Sequence, residues 1–98
     1  MSKDKQVQPD CANHKKDLFG ETDMKKVAEA IGDLHYETLV DLAEQLKSKL
    51  LRDSWADRMA GRKKLGDALE AASKQIAIAR VYLFDALVIS KQFMNQKP

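Results

Sequence analysis

The C-terminal third of the chain constrains the fold most, because it carries a helical pattern longer than a small globule is wide. The capping-box spacing of Asp67 and Glu70, directly after Gly66, predicts the start of this helix. A helix from Asp67 to about Met94 spans roughly 42 Å, more than the width of a compact 98-residue globule. Its apolar residues form one nearly straight seam: Leu65, Leu69, Ala72, Ile76, Ala79, Leu83, Leu87 and Met94.

The second half of this helix is apolar around most of its circumference. A helix of that kind is normally buried, and the rest of the chain offers too few amphipathic helices to cover it. We therefore predict an interface between subunits, most simply in a two-fold homodimer. The alternative is that short helices of the same chain fold over this strip. The predicted interface residues are Ile78, Val81, Tyr82, Phe84, Val88, Ile89 and Phe93.

Two more helices are predicted upstream of the long one. Thr22 or Asp23 caps a short helix that ends at Gly32, a residue suited to a left-handed stop. Asp33 caps a second, longer helix. The stripe of this second helix is Leu39, Leu42, Ala43, Leu46 and Leu50.

The pattern of the second helix breaks near Arg52, because continuation would bring Asp53 into its apolar stripe. Ser54 and Asp57 have the spacing of a capping box and predict a short third helix from Trp55 to Ala60, closed by Gly61. As a large aromatic residue, Trp55 is expected in the core.

These elements predict an all-α fold. Two long antiparallel helices form a helical hairpin or small bundle, with two short helices and a disordered N-terminal tail. Residues 1–17 are mostly polar and bury too little surface to order themselves. We predict a flexible tail over residues 1–20 and a single helical domain over residues 21–98.

Composition agrees with one folded domain. Hydrophobic residues make up 44% of the chain and charged residues 33%, and the net charge of +2 provides no overall attraction to nucleic acid or anionic membrane. The longest apolar stretch, from Ile76 to Ile89, contains Arg80 and Asp85 and is too short to cross a bilayer. A single cysteine, Cys11, without an apolar leader favours a reducing compartment, so we predict a cytoplasmic protein.

The sequence favours no enzymatic chemistry. The apolar positions carry no Ser, His and Asp set, no paired inward carboxylates and no phosphate-binding glycine loop. Cys11 and His14 have a metal-ligand spacing, but His35 is the one remaining histidine and no second cysteine completes four ligands. We expect no metal, no cofactor and no catalytic residue. Near the start of its helix, His35 is expected as a hydrogen-bonded neutral imidazole.

Five cations lie within 13 residues around the connector between the predicted long helices: Arg52, Arg58, Arg62, Lys63 and Lys64. Asp53 and Asp57 are the carboxylates among them. This local excess of positive charge could bind phosphate or an acidic partner, although short charge runs are usually solvated connectors.

The segment from Lys25 to Leu42 resembles the helix-turn-helix of bacterial and phage regulators in its first half. Val27, Ala28, Ile31 and Gly32 occupy the apolar, small, apolar and glycine positions of that motif. The second half matches if the turn is one residue longer. The resemblance implies DNA reading, but the outward residues of the second helix are acidic, which opposes contact with phosphates.

The leading functional prediction is therefore a non-enzymatic protein–protein interaction module. It would act as a small adaptor, inhibitor, chaperone or phage-type accessory protein that presents a helical surface. The alternative is a nucleic-acid-binding regulatory protein that uses the basic connector from Arg52 to Lys64.

Overall fold

A computed structural model of the chain describes residues 14–94, with side-chain surroundings for residues 14–93. It contains three helices, α1 (Met24–Gly32), α2 (Tyr36–Met59) and α3 (Lys63–Met94). Within residues 14–94 there is no strand beyond an isolated bridge between Leu18 and Glu21. The predicted all-α class is confirmed. The first part of the predicted tail, with Cys11, lies outside the described residues.

The chain divides into two compact units, one reaching Asp33 and one beginning at Leu34. In the first unit, the amide and carbonyl of Leu18 bond those of Glu21 at 2.9 Å around a tight turn. Phe19 and Gly20 form that turn with positive φ angles of 50° and 87°. The carboxylate of Asp17 accepts a hydrogen bond from the Gly20 amide at 2.9 Å and so supports the turn.

Helix α1 begins as predicted and ends differently. Asp23 is its N-cap, and Asp23 Oδ1 accepts a hydrogen bond from the Lys25 amide at 3.0 Å. Gly32 is the last helical residue and has no positive φ, so the predicted left-handed stop at Gly32 is wrong. The final turn closes instead through the Asp33 amide, which donates to the Glu29 carbonyl at 3.1 Å.

Helix α2 is capped by His35 instead of Asp33. His35 is the N-cap, and its Nδ1 accepts a hydrogen bond from the Glu37 amide at 3.0 Å. The prediction that Asp33 caps this helix is wrong, because Asp33 closes α1 instead. The expected hydrogen-bonded imidazole at a helix start is confirmed.

The predicted break near Arg52 is wrong, because α2 runs without interruption to Met59. Its polar residues are accommodated instead of ending the helix. The fully buried Ser54 donates its hydroxyl to the Leu51 carbonyl at 2.8 Å, and Asp53 pairs with Lys49 at 2.9 Å. The short third helix is therefore the last part of α2.

Gly61 ends α2, as predicted. It has a φ of 89°, and its amide donates to the Arg58 carbonyl at 3.0 Å. The Arg62 amide donates to the Asp57 carbonyl at 2.8 Å. Together these bonds form a Schellman motif, which favours a residue without a Cβ at the left-handed position.

Helix α3 starts three residues before Gly66, so the predicted start after that glycine is wrong. Gly66 is buried inside the first turns of α3, where the backbone of α2 comes close. A Cβ on Gly66 would lie 2.7 Å from the Ser54 carbonyl oxygen and 2.6 Å from Arg58 Cγ. The absence of a side chain therefore permits close packing of the two helices here, a role different from the helix-end role predicted.

The contacts between α2 and α3 run in opposite chain directions. Arg58 near the end of α2 contacts Asp67 near the start of α3. Further along, the Ser73 hydroxyl donates to the Lys47 carbonyl at 3.0 Å, and Arg80 pairs with Glu44.

Few large side chains are buried in this arrangement. Among the described residues, Val40 and Leu87 are the buried apolar side chains, while Ser54, Asp57 and Ser73 are buried and polar. Within the α2–α3 unit, two packed helices leave each helix with an outer surface. No helix in the described part of the chain has the length and apolarity needed to cross a membrane.

Candidate interaction surfaces

The second half of α3 exposes a wide apolar surface. Every residue of the predicted interface is exposed, from 49% for Phe84 and Val88 to 69% for Tyr82. Gly66, Ser73 and Leu87 are buried and mark the side of α3 that packs on α2. At about 100° per residue, the outermost members of the surface lie opposite that side. These outermost residues are Ile78, Tyr82 and Ile89.

The exposed apolar residues of this half of α3 are together called the α3 outer surface. It consists of Ile78, Val81, Tyr82, Phe84, Val88, Ile89 and Phe93. Given their exposed fractions, these side chains present on the order of 800 Å² to solvent, which is what each partner contributes to a standard interface. Their combined exposed area exceeds the roughly 300–600 Å² of the largest apolar patch on a typical monomer.

Few charges interrupt the α3 outer surface. Asp85 and Lys91 lie on the exposed part of α3, whereas Arg80 is directed to α2. Arg80 Nε lies 3.1 Å from Glu44 Oε1. The angle between them is too poor for a hydrogen bond, and Nε has no other acceptor in the described structure. We treat the contact as an ion pair, since charge attraction does not depend on that angle.

Arg58 joins the two helices at the connector end. Its Nη2 donates to Asp67 Oδ1 at 3.0 Å and to the Glu70 carboxylate. Lys63 donates to Asp67 Oδ2 at 2.9 Å, and Lys74 lies 3.6 Å from the Glu70 carboxylate. Asp67 and Glu70, which have the spacing of a capping box, therefore have a different role. Their carboxylates accept hydrogen bonds from Arg58 of α2.

These contacts shift the pKa values of the carboxyl groups. Hydrogen bonds from Lys63 and then Arg58 lower the pKa of Asp67. The hydrogen bond from Arg58 lowers the pKa of Glu70, with smaller effects from the charges of Arg58 and Lys74. Hydrogen bonds to Glu70 and Asp67 raise the pKa of Arg58. All three groups are therefore charged at neutral pH.

A second ion pair closes the connector itself. Asp57 is 3% exposed, and its Oδ1 accepts from Arg62 Nε at 2.8 Å and lies 2.7 Å from Arg62 Nη2. A buried carboxylate needs such a partner, because desolvation of an unpaired charge is costly. Arg62 thus neutralises a charge inside the α2–α3 unit.

The predicted basic cluster is divided by these contacts. Arg58, Arg62 and Lys63 pair with carboxylates of their own chain. Arg52 and Lys64 are exposed, and the described residues provide no hydrogen bond or ion pair to either of them. Asp57 lies close to these cations in the sequence. No sequence pattern indicated that Asp67 and Glu70 of α3 also pair with them.

Trp55 is 59% exposed, so its predicted place in the core is wrong. Because α2 is continuous, Trp55 lies about 100° around the helix from the buried Ser54. It is therefore next to the side of α2 that packs on α3, and not on that side. Met59, one turn later, is 89% exposed. Arg52, Trp55 and Met59 are spaced by three and four residues and share one face of α2.

No group of three or more metal-ligating side chains occurs within the described residues. His14 is exposed there, while its predicted companion Cys11 is outside the described range. Asp67 and Glu70 both accept hydrogen bonds from Arg58.

Comparison of the chain with protein-family models, with functionally characterised proteins and with solved structures finds no match.

Proposed function

We propose that this protein is a non-enzymatic protein–protein interaction module that binds through the α3 outer surface. The observation that supports this proposal is the exposure of seven apolar residues along one helix. Transfer of such a surface out of water contributes about 25 cal/mol per Å² before the costs of association. The corresponding classes of protein are a small adaptor, inhibitor, chaperone or phage-type accessory protein.

The α2–α3 pair serves this function as a helical hairpin that holds α3 in place. The simplest assembly is a two-fold homodimer in which the second halves of two α3 helices pack together. A heterologous protein partner is the other occupant of the same surface. We place this interaction in the cytoplasm, since the single cysteine of the sequence suits a reducing compartment.

The test is a double substitution, Tyr82→Glu with Ile89→Glu, in the full chain. Two carboxylates in the centre of the α3 outer surface would be desolvated on association, so we expect loss of self-association and of bound partner. Analytical ultracentrifugation reports the mass, and affinity purification from the native cell reports the partner.

The matched control is Ala71→Glu with Gln75→Glu, which adds the same charge to exposed positions of the first half of α3. We expect this control to behave as the unmodified protein does. If the Tyr82→Glu and Ile89→Glu variant keeps the mass, the solubility and the partners of the unmodified protein, the α3 outer surface is not an interface.

The nucleic-acid alternative is tested by heparin chromatography of the same proteins. Binding to a phosphate backbone weakens with salt, by a log-log slope close to the number of phosphates contacted. With three of the five cations in ion pairs, we expect weak retention and a shallow slope. A steep slope would support the alternative in place of the interaction module.

A further inference from the structure

A second exposed surface lies at the connector end of α2. It consists of Arg52, Trp55 and Met59 and is called the Trp55 surface. Met59 lies 19 residues before Ile78, across the connector and most of the first half of α3. The Trp55 surface is therefore remote in sequence from the α3 outer surface and belongs to a different helix.

The residue types of the Trp55 surface are those that dominate protein interfaces. Trp, Arg and Met are enriched at interfaces, and Trp and Arg are frequent hot spots. With Trp55 59% and Met59 89% exposed, the two side chains present on the order of 300 Å² to solvent, enough for the anchors of one peptide helix. They are spaced one turn apart, so one partner helix can contact both.

The charge of the Trp55 surface indicates the charge that a partner should carry. Arg52 is exposed, and no described residue bonds to its guanidinium. The nearest carboxylates in sequence are already paired, Asp53 with Lys49 and Asp57 with Arg62. The surface therefore combines two apolar anchors with one available cation.

We propose that the Trp55 surface binds an acidic amphipathic helix of a partner protein. Two apolar side chains of that helix pack on Trp55 and Met59, and a carboxylate one turn away pairs with Arg52. A single-stranded nucleic acid fits less well, because backbone binding needs a series of free cations and most cations of this region are paired.

Trp55 is the single tryptophan of the chain, so its fluorescence reports on this surface alone. The probe is a synthetic amphipathic peptide of about 15 residues, with Leu at helical i, i+3, i+4, i+7 spacing and Glu elsewhere. We expect a saturable blue shift of the Trp55 emission. The comparator peptide replaces every Glu with Lys, and we expect it to produce no shift.

Arg52→Glu should weaken binding of the acidic peptide by about tenfold or more, because an attraction becomes a repulsion. Lys64→Glu is the matched control, since it makes the same charge change at another exposed cation without a described partner, and its affinity should stay within about twofold. Met59→Ala should weaken binding without any change in charge. Circular dichroism checks that each variant keeps its helix content.

Four results with added ligand would overturn the proposal. These are no shift with the acidic peptide, an equal shift with the Lys peptide, an equal loss of affinity in the two charge variants, or a shift produced by an oligothymidylate. A blue shift that grows with protein concentration in the absence of peptide would also overturn it, since a second copy would then occupy the Trp55 surface.

Discussion

Gly66 of α3 lies directly against Ser54 of α2, so closely that a Cβ on Gly66 would lie 2.7 Å from the Ser54 carbonyl oxygen. The Ser54 carbonyl belongs to the backbone, which cannot move aside as the end of a flexible side chain can. We therefore expect Gly66→Ala to destabilise the protein by about 1–3 kcal/mol, despite the higher helix propensity of Ala. Urea unfolding followed by circular dichroism measures this change in the free energy of unfolding.

The control for this substitution is Gly32→Ala. Gly32 is also helical, and no atom lies within 4 Å of the Cβ it would gain. We expect that change to be neutral or to stabilise by up to about 1 kcal/mol. Similar effects of the two substitutions would show that Gly66 is not a close-contact position.

Removal of the Arg62 side-chain charge should be costly. Arg62→Met leaves the buried carboxylate of Asp57 without its guanidinium partner, and we expect a loss of about 3 kcal/mol in the free energy of unfolding. The same measurement on Lys64→Met, which removes an exposed cation two residues later, should give a change below about 0.5 kcal/mol. Equal effects would mean that the Asp57–Arg62 pair does not stabilise the connector.

Stability should fall in acid because of the Arg58 contacts. The pKa values of Asp67 and Glu70 are lower in the folded chain than in the unfolded chain. Their contribution to the free energy of unfolding is therefore complete above the unfolded-state pKa values and is lost as the pH falls through the folded-state pKa values. We expect the melting temperature to decline below about pH 4.5, the ordinary value for Glu. The Glu70→Gln variant should start lower at neutral pH and decline less. A parallel decline in both proteins would assign the acid sensitivity to other carboxyl groups.

Much of the helical content was predictable because helical periodicity is a local property. The Asp23 cap and the Gly61 stop follow from side-chain and backbone chemistry within a few residues. Helical periodicity also identified the exposed residues of α3. Apolar residues surround most of this part of the helix, and one neighbouring helix cannot cover all of them.

Several errors came from contacts that no sequence pattern indicates. Ser54 and Asp57 look like the start of a new helix until Gly66 and Arg62 are placed against them. The prediction of a buried Trp55 was based on its size, whereas the continuous α2 places Trp55 next to the side that packs on α3. Likewise, the partners of Arg58 belong to α3, and no local spacing relates them to Arg58.

The polar contacts of the α2–α3 unit differ in sequence separation, which bears on the order of folding. The pairs Asp57–Arg62 and Arg58–Asp67 close loops of only a few residues, while Lys47–Ser73 and Glu44–Arg80 are much further apart along the chain. Short loops lose little entropy on closure, so nucleation is favoured at the connector. We expect the two helices to pack outward from there, so that the start of α2 and the second half of α3 are the last parts to pack and the first to fray.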